Sequence, residues 1–272
     1  MRTAPASSRA PSLAPYRVLA WAGLRSRAAY RLALLAGVTT NSVFGLLRAS
    51  LLLYAVGAAG GSVAGYGRDD MAAYVWLGQA LLGVIALFPS PALAGRVRTG
   101  DIAVDLTRPV DIQAAYLAED LGRAMYAVLP RALPTLAIGL LVTHFPLPGE
   151  PTAYLLGAVS LVLAVVLSFA CRMALELLSF WFVEIRGFTT LYLVVCGFFA
   201  GLFVPLAMLP EWLQTVVHAT PFPSMFQSVI SVLSGHVGGG EALRLVAIQA
   251  AWAAAMLALG RVMLGAGRRK LV

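Results

Sequence analysis

Lysine is almost missing from this 272-residue chain: beside 19 arginines there is only Lys270, close to the end. A phosphate-binding P-loop needs a lysine next to Ser or Thr, so nucleotide hydrolysis by that route is excluded. So is a Schiff base inside a membrane helix. Charge of either sign is scarce, at 12% of residues against about 25% in soluble domains. With 60% hydrophobic residues, no soluble fold of this length hides so much apolar surface. The two cysteines, Cys171 and Cys196, lie in apolar stretches and read as small core residues, not as a disulfide framework or thiolate metal site. His144, His218 and His236 form no HExxH-like spacing, and Ser90, Ser160, Ser168, Ser179 and Ser224 have no GxSxG context, so no catalytic or metal residues are assigned. No internal or inverted repeat of the kind that builds secondary transporters is visible.

What is present is a series of apolar runs of about 20 residues, the length a helix needs to cross about 30 Å of hydrocarbon. The runs predict an all-α membrane protein with six transmembrane helices at about 33–58, 71–92, 121–144, 153–175, 187–207 and 242–263. Residues 1–32 form a tail followed by an interfacial helix, in which Tyr16, Val18, Leu19, Trp21 and Leu24 mix with Arg17, Arg25, Arg27 and Arg31. The first 30 residues lack the apolar core of a signal peptide. Fourteen cations, from Arg2 and Arg9 to Arg268, Arg269 and Lys270, fall on one side of this plan, and only Arg68 and Arg244 on the other. The positive-inside rule then places both termini in the cytoplasm. The formal charge of +8 is thus topology information and not a nucleic-acid footprint. The bias toward Ala, Gly and Arg suggests a bacterium of high GC content, and hence its inner (cytoplasmic) membrane.

Two loops stand out. Between the second and third spans, GRVRTGDIAVDLTRPVDIQAAYLAEDLGR predicts a short helix from Gly100 and Asp101 that Pro109 ends, with Asp111 capping the next helix. Before the last span, two amphipathic stretches at Glu211–His218 and Ser224–Leu233, set among Pro210, Pro221 and Pro223, are too short to span. They read as an outer re-entrant pair of half-helices.

Gly100 to Asp111, G-D-I-A-x-D-L-x-R-P-V-D, resembles the first cytoplasmic loop of permease subunits of ABC type 2 exporters. NSVFGLLR at Asn41–Arg48, YVWLGQALL at Tyr74–Leu82 and PLAMLPEWLQTVVHATPFPSMF at Pro205–Phe226 are similar to the same family, so the resemblance covers nearly the whole chain. It implies a coupling helix that docks into a separate ATPase, carried by Asp101, Ile102, Asp105, Leu106, Arg108 and Pro109. It also implies a pair of ATPase subunits holding ATP and Mg, no cofactor in this chain, and a second permease. That permease is a copy or a homologue, with the homologous pairing seen in the subgroup that looks nearest. Drug-like or amphipathic compounds are the expected substrates. A gradient-driven secondary transporter and a membrane scaffold are the alternatives; the first would want acids at mid-membrane, and none is placed there.

Arg48 and Arg131 fall near the middle of the first and third spans, where a lone cation costs at least about 2.5–3.5 kcal/mol. Asn41 and Arg48 share a helix face at i, i+7. Together with Arg131 they either line a translocation path or serve packing and snorkelling. Pro130 and Pro134 should bend the helix around Arg131. Arg172 and Glu176, one turn apart, suit a structural pair, and Gly197 and Gly201 form a GxxxG pair suited to close helix approach.

Overall fold

A computed structural model describes residues 14–28, 31–90, 92–107 and 109–270. They form an all-helical bundle with no strand among the described residues, apart from one isolated bridge between Val63 and Tyr66. Arg108 and the first 13 residues lie outside the described set.

Four helices are long and apolar enough to cross a membrane: Leu35–Ala58, Ile112–Thr143, Pro151–Phe180 and Gly239–Arg268. The first is most of α2 (Arg31–Ala58). The second joins α6 (Ile112–Ala127) to α7 (Leu133–Thr143) through a π-helical turn at Val128–Ala132. That turn contains Pro130 and Arg131 and comes just before Pro134. The expected bend therefore takes the form of a widened turn, as a proline that lacks its N–H and clashes with the preceding turn requires. α8 (Pro151–Leu177) and α13 (Gly239–Arg268) complete the set.

Two expected spans come out shorter than predicted. α3 (Arg68–Leu81) stops well before residue 92, and residues 82–90 continue as turns and irregular chain. Pro89 cannot extend a helix through residue 85, and Gly83 contributes little to helix stability. The Arg131 side chain lies over Gly83, within 3.2 Å of where a Cβ would stand. α9 (Arg186–Phe199) has 14 residues, about 21 Å at 1.5 Å per residue, and gives way to irregular chain at Ala200–Pro205.

The core is layered around α3 and α8. α3 is buried all round from Met71 to Leu81, with the Trp76 ring slotted against Gly45 of α2 and Gly139 of α7. α8 presents Gly157, Ser160, Ala164, Ser168, Ala170 and Cys171 to its neighbours, small side chains that let helices approach closely without the driving force of water exclusion. It packs along α13 and against α11 (Phe222–Met225) and α12 (Gln227–Leu233). With α10 (Glu211–His218), these short helices occupy the two stretches expected as a half-helix pair, the second being split at Phe226. A hairpin cluster ties them to the loop before α3. His236 stacks on Tyr66 at 4.4 Å and lies 3.4 Å from the Asp70 carboxylate, while Gln227 donates to the Tyr66 hydroxyl at 2.9 Å.

The cations gather at the opposite end. Arg96, Arg98, Arg186, Arg261, Arg268, Arg269 and Lys270 share this basic end with α1 (Ala14–Ala28), as the bonds from Asp111 N–H to the Tyr16 hydroxyl (3.1 Å) and from Arg261 to the Asp111 carboxylate (3.4 Å) show. α1 lies on α6, not apart from the bundle. Gly23 and Gly122 permit that contact, since a Cβ on either would collide with a backbone carbonyl of the other helix. Gly122→Ala should therefore cost about 1–3 kcal/mol of α1 docking, read as faster tryptic cleavage at Arg17 and Arg25 in detergent. Gly95→Ala, whose methyl meets nothing within 4 Å, should leave the cleavage rate unchanged.

Candidate functional site

The loop at the basic end folds as two short helices, α4 (Ala92–Thr99) and α5 (Ile102–Thr107). Gly100 joins them with φ at +82°, a left-handed turn that glycine adopts without strain. Arg96 Nε on α4 donates to Asp105 Oδ2 on α5 at 2.6 Å, a charge-assisted bond that holds the Arg96 guanidinium above its ordinary pKa. The Thr99 hydroxyl donates to Asp101 at 2.8 Å. Asp111 caps α6 as expected, accepting from the Ala114 N–H at 2.8 Å.

The predicted coupling residues divide between two faces. Ile102 is fully buried and Asp105 8% exposed, and Leu106 packs on the apolar cluster of Leu93, Ile112, Phe169, Met173, Leu177 and Leu264. Asp101 and Pro109 face outward, together with Val104, which is 57% exposed. Val104 was absent from the predicted set. Its signal was in the sequence, because residues 102, 105 and 106 fall on one face of a 3.6-residue helix and 104 on the other.

Beside this helix pair opens a cavity of about 580 Å³, lined by the irregular segment after α3, by α6 and by the end of α8. Its charged residues are Glu119, Asp120, Arg123, Arg131, Arg172 and Glu176, set among Phe88, Tyr116, Tyr126 and Phe169. Arg172 does not pair with Glu176 as predicted. It donates to Asp120 at 2.7 Å, and Arg123 donates to the other Asp120 oxygen at 2.8 Å. Glu176 instead accepts the backbone N–H groups of Leu93 and Ala94 at 2.8 and 3.3 Å. The first turn of α4 offers unpaired N–H groups, which one-turn spacing within α8 gives no means of anticipating.

The three predicted path residues are strung along one seam of α2 and not gathered at one point. The Arg131 guanidinium lies 2.6 Å from where a Cβ of Gly37 would be, and Arg131 also lines the cavity. Asn41 donates to the Gln79 carbonyl at 3.1 Å, and Arg48 to the Phe203 carbonyl at 2.8 Å. Asn41 and Arg48 thus place donors on backbone that regular helix leaves open, next to the Tyr74 hydroxyl's bond to the Gly201 carbonyl. Gly201, at φ +77°, belongs to the break after α9, and the face of α9 carrying Leu191, Val194 and Phe198 is exposed.

Asp120 pairs with the buried Arg172 and the partly buried Arg123, so removing it leaves charge unpaired where little water reaches, which costs about 3–5 kcal/mol. Asp120→Leu should lower the unfolding midpoint of the detergent-solubilised protein strongly. Asp120→Leu combined with Arg172→Met should restore part of that loss, and the double-mutant cycle read by thermal unfolding measures the coupling.

No curated protein matches the sequence. A family comparison does match, over residues 44–272, the family described as ABC-2 family transporter protein. The match begins within α2 and runs through the helix pair, the cavity walls, the half-helices and α13. The chain belongs to the ABC-2 family transporter proteins and is a membrane permease of ABC transporter type.

Proposed function

We propose that this chain is the permease subunit of an ATP-driven exporter, in which a separate ATPase, holding ATP and Mg, docks on α5. The observation that carries this reading is the division of α5 into a locked and an open face. Ile102 and Asp105 are turned into the chain, whereas Ala103, Val104 and Thr107 of the same helix are exposed. A bland surface turn has no reason to be fixed by an ion pair and a buried isoleucine while exposing a valine.

In this reading the basic end is cytoplasmic, in a bacterial inner membrane, and the half-helices lie in the outer leaflet. The crossing number is six: α3 with residues 82–90, and α9 with residues 200–205, each complete a crossing in part with irregular backbone. Such backbone is tolerated at membrane depth where protein shields it. Among the three predicted path residues, Arg131 is the one placed to meet a substrate entering from the basic end, because it lines the cavity there. A second permease, a copy or a homologue, covers the exposed face of α9, and amphipathic, drug-like compounds suit the mixed aromatic and charged lining.

Val104→Glu should abolish co-purification of the partner ATPase and drug-dependent export while leaving thermal unfolding within about 0.5 kcal/mol, as for surface substitutions. Export that persists with the ATPase deleted, driven by an ion gradient alone, would overturn the reading. Topology has its own test: a membrane-impermeant maleimide should label Trp212→Cys in intact cells and Thr107→Cys only after the membrane is opened.

A further inference from the structure

α8 touches both specialised ends of the bundle through buried polar bonds. At the basic end Glu176, 7% exposed, accepts from the N–H groups of Leu93 and Ala94 in the first turn of α4. One α4 turn later, Arg96 holds α5 through Asp105. At the half-helix end the Ser160 hydroxyl donates to Gln249 Oε1 on α13 at 2.7 Å, and Gln249 Nε2 donates to the Ser224 carbonyl in α11 at 2.8 Å. Ser160 and Gln249 are both fully buried, and Gly157 of α8 receives the Leu233 side chain from the end of α12. Between these contacts, from Gly157 to Glu176, α8 is unbroken helix, about 30 Å long at 1.5 Å per residue.

The geometry points to Glu176 as the positioning residue through which movement of the α4–α5 pair reaches α8, with α8 carrying that movement as a rigid rod to the half-helices through Ser160 and Gln249. This rests on the reading of α5 as the ATPase docking helix. A carboxylate on two backbone donors suits the task. The positive end of the α4 dipole faces it, and a desolvated carboxylate separated from those donors is left without partners, so α4 and α8 move together. A mere helix anchor would need no such stake at both ends of the same rod. The seam through α6 is a separate link: Asp120 and Arg172 join α6 to α8, whereas Glu176 ties α8 to α4.

The test uses the complete complex of this chain with its ATPase in proteoliposomes, with Gly238→Cys as reporter. Gly238 lies at the exposed turn before α13, where an added Cβ meets nothing within 4 Å. The buried Cys171 and Cys196 are inaccessible to an impermeant maleimide. Trapping with ATP and vanadate is expected to change the labelling rate in the parent. Glu176→Leu should shrink that change by about 2- to 30-fold, the range that substitutions along a coupled network produce, while the ATPase still binds and hydrolyses ATP. Glu176→Gln, which keeps an acceptor oxygen, should fall between the two. Should Glu176→Leu not assemble, Gln249→Leu tests the other end of the rod and should give the same uncoupled hydrolysis. A full vanadate-dependent change in Glu176→Gln and in whichever leucine variants assemble overturns the inference alone. No change in the parent overturns the proposed function and this inference with it.

Discussion

Hydrocarbon offers no hydrogen bonds, so each carbonyl released when a membrane helix unwinds must find a donor within the protein. Here α3 ends at Leu81, and three other helices supply donors to the buried carbonyls that follow it. Arg123 of α6 donates to the Val84 carbonyl at 3.1 Å, Ser168 of α8 to that of Ala86 at 2.6 Å, and the Cys196 thiol of α9 lies 3.9 Å from that of Leu87. Val84, Ile85 and Leu87 are buried among these helices. The break is therefore a junction and not a defect: it fixes where α6, α8 and α9 stand, and it forms one wall of the charged cavity.

Arg123 connects that junction to the electrostatics of the cavity. Its guanidinium serves a carbonyl on one side and Asp120 on the other, and Asp120 in turn takes Arg172. The arrangement places a buried ionic network at the basic end, whereas the buried bonds of α8 at the other end, through Ser160, Gln249 and Ser224, are between neutral amide and hydroxyl groups. The two ends of one bundle thus differ in chemistry as well as in shape.

Much of this was legible from the sequence. Runs of apolar residues gave α2, α8 and α13 to within a few positions, because helix length in a bilayer follows from its thickness. Asp111 was recognisable as a cap and Glu211–His218 as a short amphipathic helix, since both signals are local. The pairing of Arg172 was not legible. Its one-turn neighbour Glu176 was the obvious partner on a helix wheel, yet Asp120, 52 residues away, holds it, and no local rule ranks a distant carboxylate above a near one. The end of α3 was misread for a similar reason: an apolar run through Phe88 has the composition of a continuing helix, and only donors from elsewhere make the alternative affordable.

By itself, the sequence determined an all-helical membrane protein with a basic end, a short helix in the loop after Gly100 and short proline-broken helices before α13, because hydropathy, charge placement and turn chemistry act within a few residues of themselves. Tertiary structure alone decided which face of α5 is open, which acid each arginine meets, and where the backbone leaves the helix. Those choices depend on donors and acceptors brought together from distant helices, and in an apolar surrounding such partners carry more weight than any local preference.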